Sequence, residues 1–268
     1  KIETGENAQS DFSRAAEVVV IRAIARTLAR VAELKQSNGP LTVAAYDALR
    51  ARPPIVALTT SNAGRGTAVP QGLAQSVPGI MTFTVLMMTL IYGAVFLTIE
   101  KREGMLKRQL TLPISRMTIL SGKVLGRVFI AMLQIAILVL AGRFLFHLDF
   151  GHSTPALLTL LLSYAFAVAG IATFLGAVLA NPEQASIVGW LSSMVMAAMG
   201  GCWWPSEVMP AWLRTAAHVF PTTWAMDAFH ALISFGRGFE AVVVPCAVLI
   251  GCGALFSWIG ARKLQTSV

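Results

Sequence analysis

The stretch EKREGMLKRQLTLPISR, residues 100–116, is a charged island between two long apolar runs. On one side, Ile80 to Ile99 is twenty residues without a charge; on the other, Ile119 to Gly142 carries only Lys123 and Arg127, both near its start. Twenty apolar residues coiled into a helix span about 30 Å, the thickness of a bilayer's hydrocarbon core. The island sets Lys101, Arg102, Lys107, Arg108 and Arg116 against Glu100 and Glu103. Short loops rich in Lys and Arg stay on the cytoplasmic side. The pattern therefore predicts an all-α polytopic membrane domain with this loop on its inner face.

Composition agrees. A chain of 268 residues that is 56% hydrophobic and 13% charged, with mean hydropathy +0.68, is not an ordinary soluble domain. The net charge of +8 would suit a polyanion, but seven of the 21 Lys and Arg lie within residues 100–127, where topology accounts for them. No nucleic-acid partner is expected; membrane lipid is. Cys202, Cys246 and Cys252 form no disulfide framework and read as small packing residues.

Five spans are expected, at about 80–99, 119–146, 156–180, 185–200 and 241–261. With the 100–118 loop inside, the cation-free loop 147–155 falls outside, the turn 181–184 inside, residues 201–240 outside, and the tail with Arg262 and Lys263 inside. Residues 1–79 then lie outside the cell membrane. They hold 15 of the 34 charged side chains and no run long enough to span. Their pattern predicts helices over 12–35 and 42–50, a strand over 55–60, and a linker up to Pro78-Gly79, as in the C-terminal part of an extracytoplasmic α/β domain.

The fourth segment, Ala185 to Gly200, is short. Its sixteen residues reach about 24 Å. Gly200-Gly201 interrupts it, and Trp203, Trp204, Trp212 and Trp224 follow at what should be the outer interface. Residues 213–220 and 224–235 are apolar enough for two short helices dipping into the outer leaflet, with a plain outer loop as the alternative.

Two motif sets carry a resemblance. One is Glu100-x-x-x-Gly104-Met105-Leu106-Lys107-Arg108-Gln109-Leu110, then Leu112-Pro113-Ile114-Ser115-Arg116 and Gly122-Lys123. The other is Gly200-Gly201-x-x-x-Pro205, then Met209-Pro210-x-Trp212-Leu213, then Phe220-Pro221-Thr222-Thr223-Trp224 and Asp227. In order and spacing, from about Pro78 to Ala261, the chain resembles the C-terminal part of a permease subunit of the ABC-2 family of ATP-binding-cassette exporters. That family has six spans, often with a soluble domain inserted after the first. The start at Lys1 fits a missing N-terminal part that includes the first span.

The resemblance implies a contact between the 100–118 loop and a separate ATPase subunit, made by Glu100, Arg102, Glu103, Gly104, Leu106, Lys107, Leu110, Pro113 and Arg116. Leu106 and Leu110, four apart, would insert into a groove while the cations pair with acidic residues. Glu100, at the membrane boundary, should find Arg102, Arg116 or a backbone N–H. Lys123 reads as a snorkelling lysine at a helix start. Gly200, Gly201, Trp204, Pro205, Met209, Pro210, Trp212, Pro221, Trp224 and Asp227 would build an outer gate. No Gly-x-x-x-x-Gly-Lys-Ser/Thr occurs, so ATP and Mg are expected on the partner ATPase and no cofactor on this chain. A second permease chain, identical or not, would complete the pathway.

Weaker signals remain. His147-x-Asp149-x-x-His152 has ligand-type residues but reads better as a solvated loop. Asp227, His218 and His230 would serve structural hydrogen bonds rather than a proton path. The expected function is export of a drug, small amphiphile or ion across a bacterial inner membrane. A membrane-anchored sensor or assembly scaffold acting through residues 1–79 is the alternative.

Overall fold

The computed structural model describes residues 72–266 except 112, 114, 149, 151 and 152; the side chains of residues 110, 116, 117, 120, 207, 265 and 266 also fall outside the description. The expected α/β part-domain lies outside the described residues up to residue 71. From residue 72 onward the described elements are helices, all in one compact unit.

The first, α1 (Leu73–Arg102), starts seven residues before the span expected at residue 80. The expected linker through Pro78 is instead helix. Pro78 lies close to the helix start, where its missing N–H deprives only the Ala74 carbonyl. Gln75 Nε2, buried, anchors this first turn by donating to the Gly201 carbonyl at 2.8 Å. Next come the short α2 (Met105–Leu110) and the long α3 (Arg116–Phe144), N-capped by Ser115, whose Oγ accepts from Thr118 N at 3.1 Å. Then follow α4 (Thr154–Val178), α5 (Pro182–Met199), a 3-10 turn over Ser206–Val208, α6 (Ala211–Ala217), α7 (Pro221–Ile233) and α8 (Glu240–Thr266).

Among the described residues, four helices are long and apolar enough to cross a membrane: Leu73–Arg102, Ser121–Phe144, Thr154–Val178 and Glu240–Leu264. The expected fourth span, α5, is not among them. Its 18 residues reach about 27 Å.

The core forms around α4. Of the apolar stretches, 67% of that in α4 is buried but only 17% of that in α3, so α4 is the central post and α3 turns Phe129, Leu133, Ile137 and Leu140 outward. The closest crossing is between α4 and α8. A Cβ on Gly170 would collide with the backbone of Gly253, so only paired glycines allow this approach. Such close packing replaces the hydrophobic drive that lipid surroundings do not supply. Tyr164 of α4, fully buried, donates its hydroxyl to the Thr82 carbonyl of α1 at 2.7 Å. The two ends of α1 are about 45 Å apart and carry the two candidate sites.

Candidate functional site

At the first end, α1 stops at Arg102 and Gly104, with φ 71, turns the chain into α2. A Cβ there would meet nothing within 4 Å, so the left-handed backbone, not space, favours glycine. Leu106 is 4% exposed and packs on Leu97 of α1, Ala177 of α4, and Ala261 and Leu264 of α8. It is therefore the inner support of α2. The expectation that Leu106 enters a partner's groove is corrected: its side chain is already occupied by the ends of three helices. Met105, Lys107 and Arg108 are exposed, beside exposed Arg102 and Glu103. The helix closes at Leu110, Thr111 Oγ1 donates to the Arg108 carbonyl at 2.8 Å, and exposed Pro113 follows in the bend. The side chains of Leu110 and Arg116 lie outside the described residues.

Beneath α2 the charges are paired. Lys123 Nζ of α3 donates to Glu100 Oε2 of α1 at 2.5 Å. Glu100 thus takes Lys123 and not Arg102 as its partner among the described side chains, and Lys123, well inside α3, is a cross-helix partner rather than a snorkelling side chain. Lys101 Nζ donates to three carbonyls at the C-terminus of α4: Ala177 at 2.8 Å, Leu179 at 3.0 Å and Gly176 at 3.3 Å. A cation there meets both unpaired carbonyls and the negative end of the helix dipole. One turn deeper, Arg127 donates from Nη2 to Gly93 O at 2.9 Å and from Nη1 to Thr173 Oγ1 at 3.1 Å, joining α1, α3 and α4. An arginine among apolar helices costs about 3 kcal/mol unless it finds such partners.

Sequence reasoning missed this set because topology already explained every cation. The signal was present. Glu100 ends one span while Lys123 and Arg127 stand on one face near the start of the next, which a hairpin brings level.

The second end is held mostly by neutral hydrogen bonds. α5 finishes at Gly200, where a Cβ would collide with Thr222, and Gly201 follows with φ 77. Thr222 Oγ1 donates to Met196 O at 2.6 Å, Thr223 Oγ1 to Ala217 O at 2.6 Å, and Trp224 Nε1 to His218 O at 2.7 Å. His218 packs edge-on against Trp224, its Nε2 lying 3.1 Å from Asp227 Oδ2 and its Nδ1 2.8 Å from Arg214 O. These contacts knit α7 to α5 and α6, and α7 buries Pro221, Ala225, Met226 and Phe229. Two short helices do form, although the first runs over 211–217 and not 213–220. Trp203 sits edge-on to Phe83 of α1 and to Trp204. Trp203, Trp204 and Trp212 are exposed, as is Pro210; Met209 is buried and Pro205 half-buried.

All three cysteines are free, and burial pushes the Cys202 thiol up to about 12. Asp149 and His152, and with them the candidate ligand set around His147, lie outside the described residues.

Comparison with known proteins adds a family. The sequence model of the ABC-2 family transporter protein matches residues 12–262. The chain is similar to the linearmycin resistance permease protein LnrN of Bacillus subtilis, 28% identical over 180 residues, covering 67% of this chain and 46% of that protein. It is also similar to the daunorubicin resistance ABC transporter permease protein DrrB1 of Streptomyces coeruleorubidus, 28% identical over 182 residues, covering 67% of this chain and 64% of that one. The matched region thus spans less than two thirds of either relative.

Proposed function

The chain belongs to the ABC-2 transporter family, and on that premise we propose that it is the permease subunit of an ATP-driven exporter in a bacterial inner membrane. It works with an ABC ATPase that carries ATP and Mg, and with a second permease chain. The observation that carries this reading is the two-sided character of α2. Its Leu106 side is built into the ends of α1, α4 and α8, while Met105, Lys107 and Arg108 face away from the bundle. A helix held in this way passes a push to three long helices at once. Its cationic face suits an acidic surface on the ATPase.

In this reading the 100–118 loop and the C-terminus are cytoplasmic and residues 1–79 extracytoplasmic. Closure of the ATPases moves α2 with α1 and α3, because Glu100–Lys123 and Arg127 tie those helices together. The α6–α7 region with its tryptophans, held mainly by neutral hydrogen bonds, opens as the outer gate in an alternating-access cycle. The cargo is an apolar or amphipathic small molecule, a reading supported by two relatives whose names refer to resistance to linearmycin and daunorubicin.

The test is ATPase activity and efflux by the full permease co-purified with its cognate ATPase in lipid, against a panel of amphiphilic drugs. A cargo that stimulates hydrolysis and is moved outward supports the reading. A permease that binds no ATPase sinks it.

A further inference from the structure

A groove of about 350 Å³ opens between α3, α4 and α8 toward the side of the bundle. Its walls are Val124, Leu125, Phe166, Ala254 and Trp258, of which Leu125 is 63% and Trp258 49% exposed, so it faces whatever surrounds the helices. That volume lies at the low end of ligand pockets, which run roughly 300–1,000 Å³, and suits one acyl chain rather than two.

The groove is not purely apolar. Thr173 on its wall accepts a hydrogen bond from Arg127 Nη1, and Ser257 Oγ on another wall is buried without a hydrogen-bond partner among the described residues. At the rim, the Arg262 guanidinium lies over the Trp258 ring, 3.9 Å from its centre. Arg262 itself is exposed, one turn beyond Trp258, next to Ala261 of the groove wall and level with the α2 end of the bundle. A slot for a chain thus sits under a cation held in place by a stacked indole.

We propose that this groove binds an anionic phospholipid of the leaflet facing α2, with one acyl chain against Trp258 and Ala254 and the headgroup phosphate on Arg262. Charge complementarity selects the occupant, since a cation near a membrane surface favours an anionic headgroup over a zwitterionic one by about fivefold. The site depends on the chain lying in a bilayer and not on the exporter reading, so the two fail separately.

The test uses tryptophan fluorescence of the full permease in vesicles containing either phosphatidylglycerol or phosphatidylcholine with chain-brominated tails. The Trp258 contribution is obtained by subtracting the Trp258→Phe variant, since the chain holds six tryptophans. Brominated phosphatidylglycerol should quench that contribution at about one fifth the mole fraction that phosphatidylcholine needs. Arg262→Gln should erase the preference, and Ala254→Phe, which fills the groove, should remove the quenching by both lipids. Equal quenching by the two lipids in the wild type would overturn the proposal. So would a preference that survives Arg262→Gln, or the absence of any Trp258 quenching, which would mean that protein covers the groove.

Discussion

The two ends of α1 are held by different chemistry. At the α2 end the contacts are ionic: Lys123 on Glu100, Lys101 on the carbonyls of α4, and Arg127 bridging α1 to α3 and α4. At the tryptophan end most are neutral, made by threonine hydroxyls, an indole N–H and a glutamine amide on backbone carbonyls, joined by the His218–Asp227 contact between solvent-accessible side chains. Charge-assisted hydrogen bonds are about twice as strong as neutral ones. The α2 end is thus the stiffer one, suited to receiving force, and the tryptophan end is the one that yields. The proposed function, a permease driven from one side, calls for this asymmetry.

The largest effect should come from breaking the stiff end internally. Leu106→Asp sets a carboxylate among Leu97, Ala177, Ala261 and Leu264 and should cost about 3 kcal/mol or more. Size-exclusion chromatography in detergent should show loss of folded protein, and a stable, monodisperse variant would show that Leu106 is not enclosed. Second, Glu100→Gln and Lys123→Met should each destabilise, with a coupling of about 1–2 kcal/mol in a double-mutant cycle. Additive losses would mean that the pair does not hold α1 to α3.

At the other end, Thr222→Val and Trp224→Phe should each cost only about 1 kcal/mol by thermal unfolding, since each removes one neutral hydrogen bond. Losses equal to those at Glu100 would erase the contrast between the ends. The smallest effect concerns Cys202. Its thiol titrates near 9 when unfolded and at about 12 when buried, so the folded state holds its proton while the unfolded one releases it. That contribution to stability is complete below pH 9 and declines between pH 9 and 12. Maleimide at pH 8 should therefore leave Cys202 unmodified until the protein unfolds, as mass spectrometry would report.

Much of this was legible in the sequence. Uncharged runs flanking residues 100–116 identified the long helices, because in a bilayer only a closed helix satisfies the backbone. Gly200-Gly201 and the tryptophans located the short helices. The extra turns at the start of α1 were not legible, because Pro78 reads as a break unless the anchoring of Gln75 on Gly201 is known. Nor was the direction of Leu106. In a six-residue helix, less than two turns long, periodicity does not separate the side that meets its own chain from the side that meets another. The ion pair of Glu100 was hidden for a related reason: its partner stands 23 residues away, and only the hairpin brings it near.

The central claim is that α2 uses its Leu106 side for its own chain and its Lys107–Arg108 side for the ATPase. The most direct measurement is co-purification of the cognate ATPase with the Lys107→Glu, Arg108→Glu double variant, beside the variant's thermal stability. Wild-type stability with loss of the bound ATPase is the expected result, because both side chains are exposed and free of the internal packing. Undiminished ATPase binding by a stably folded double variant would contradict the account.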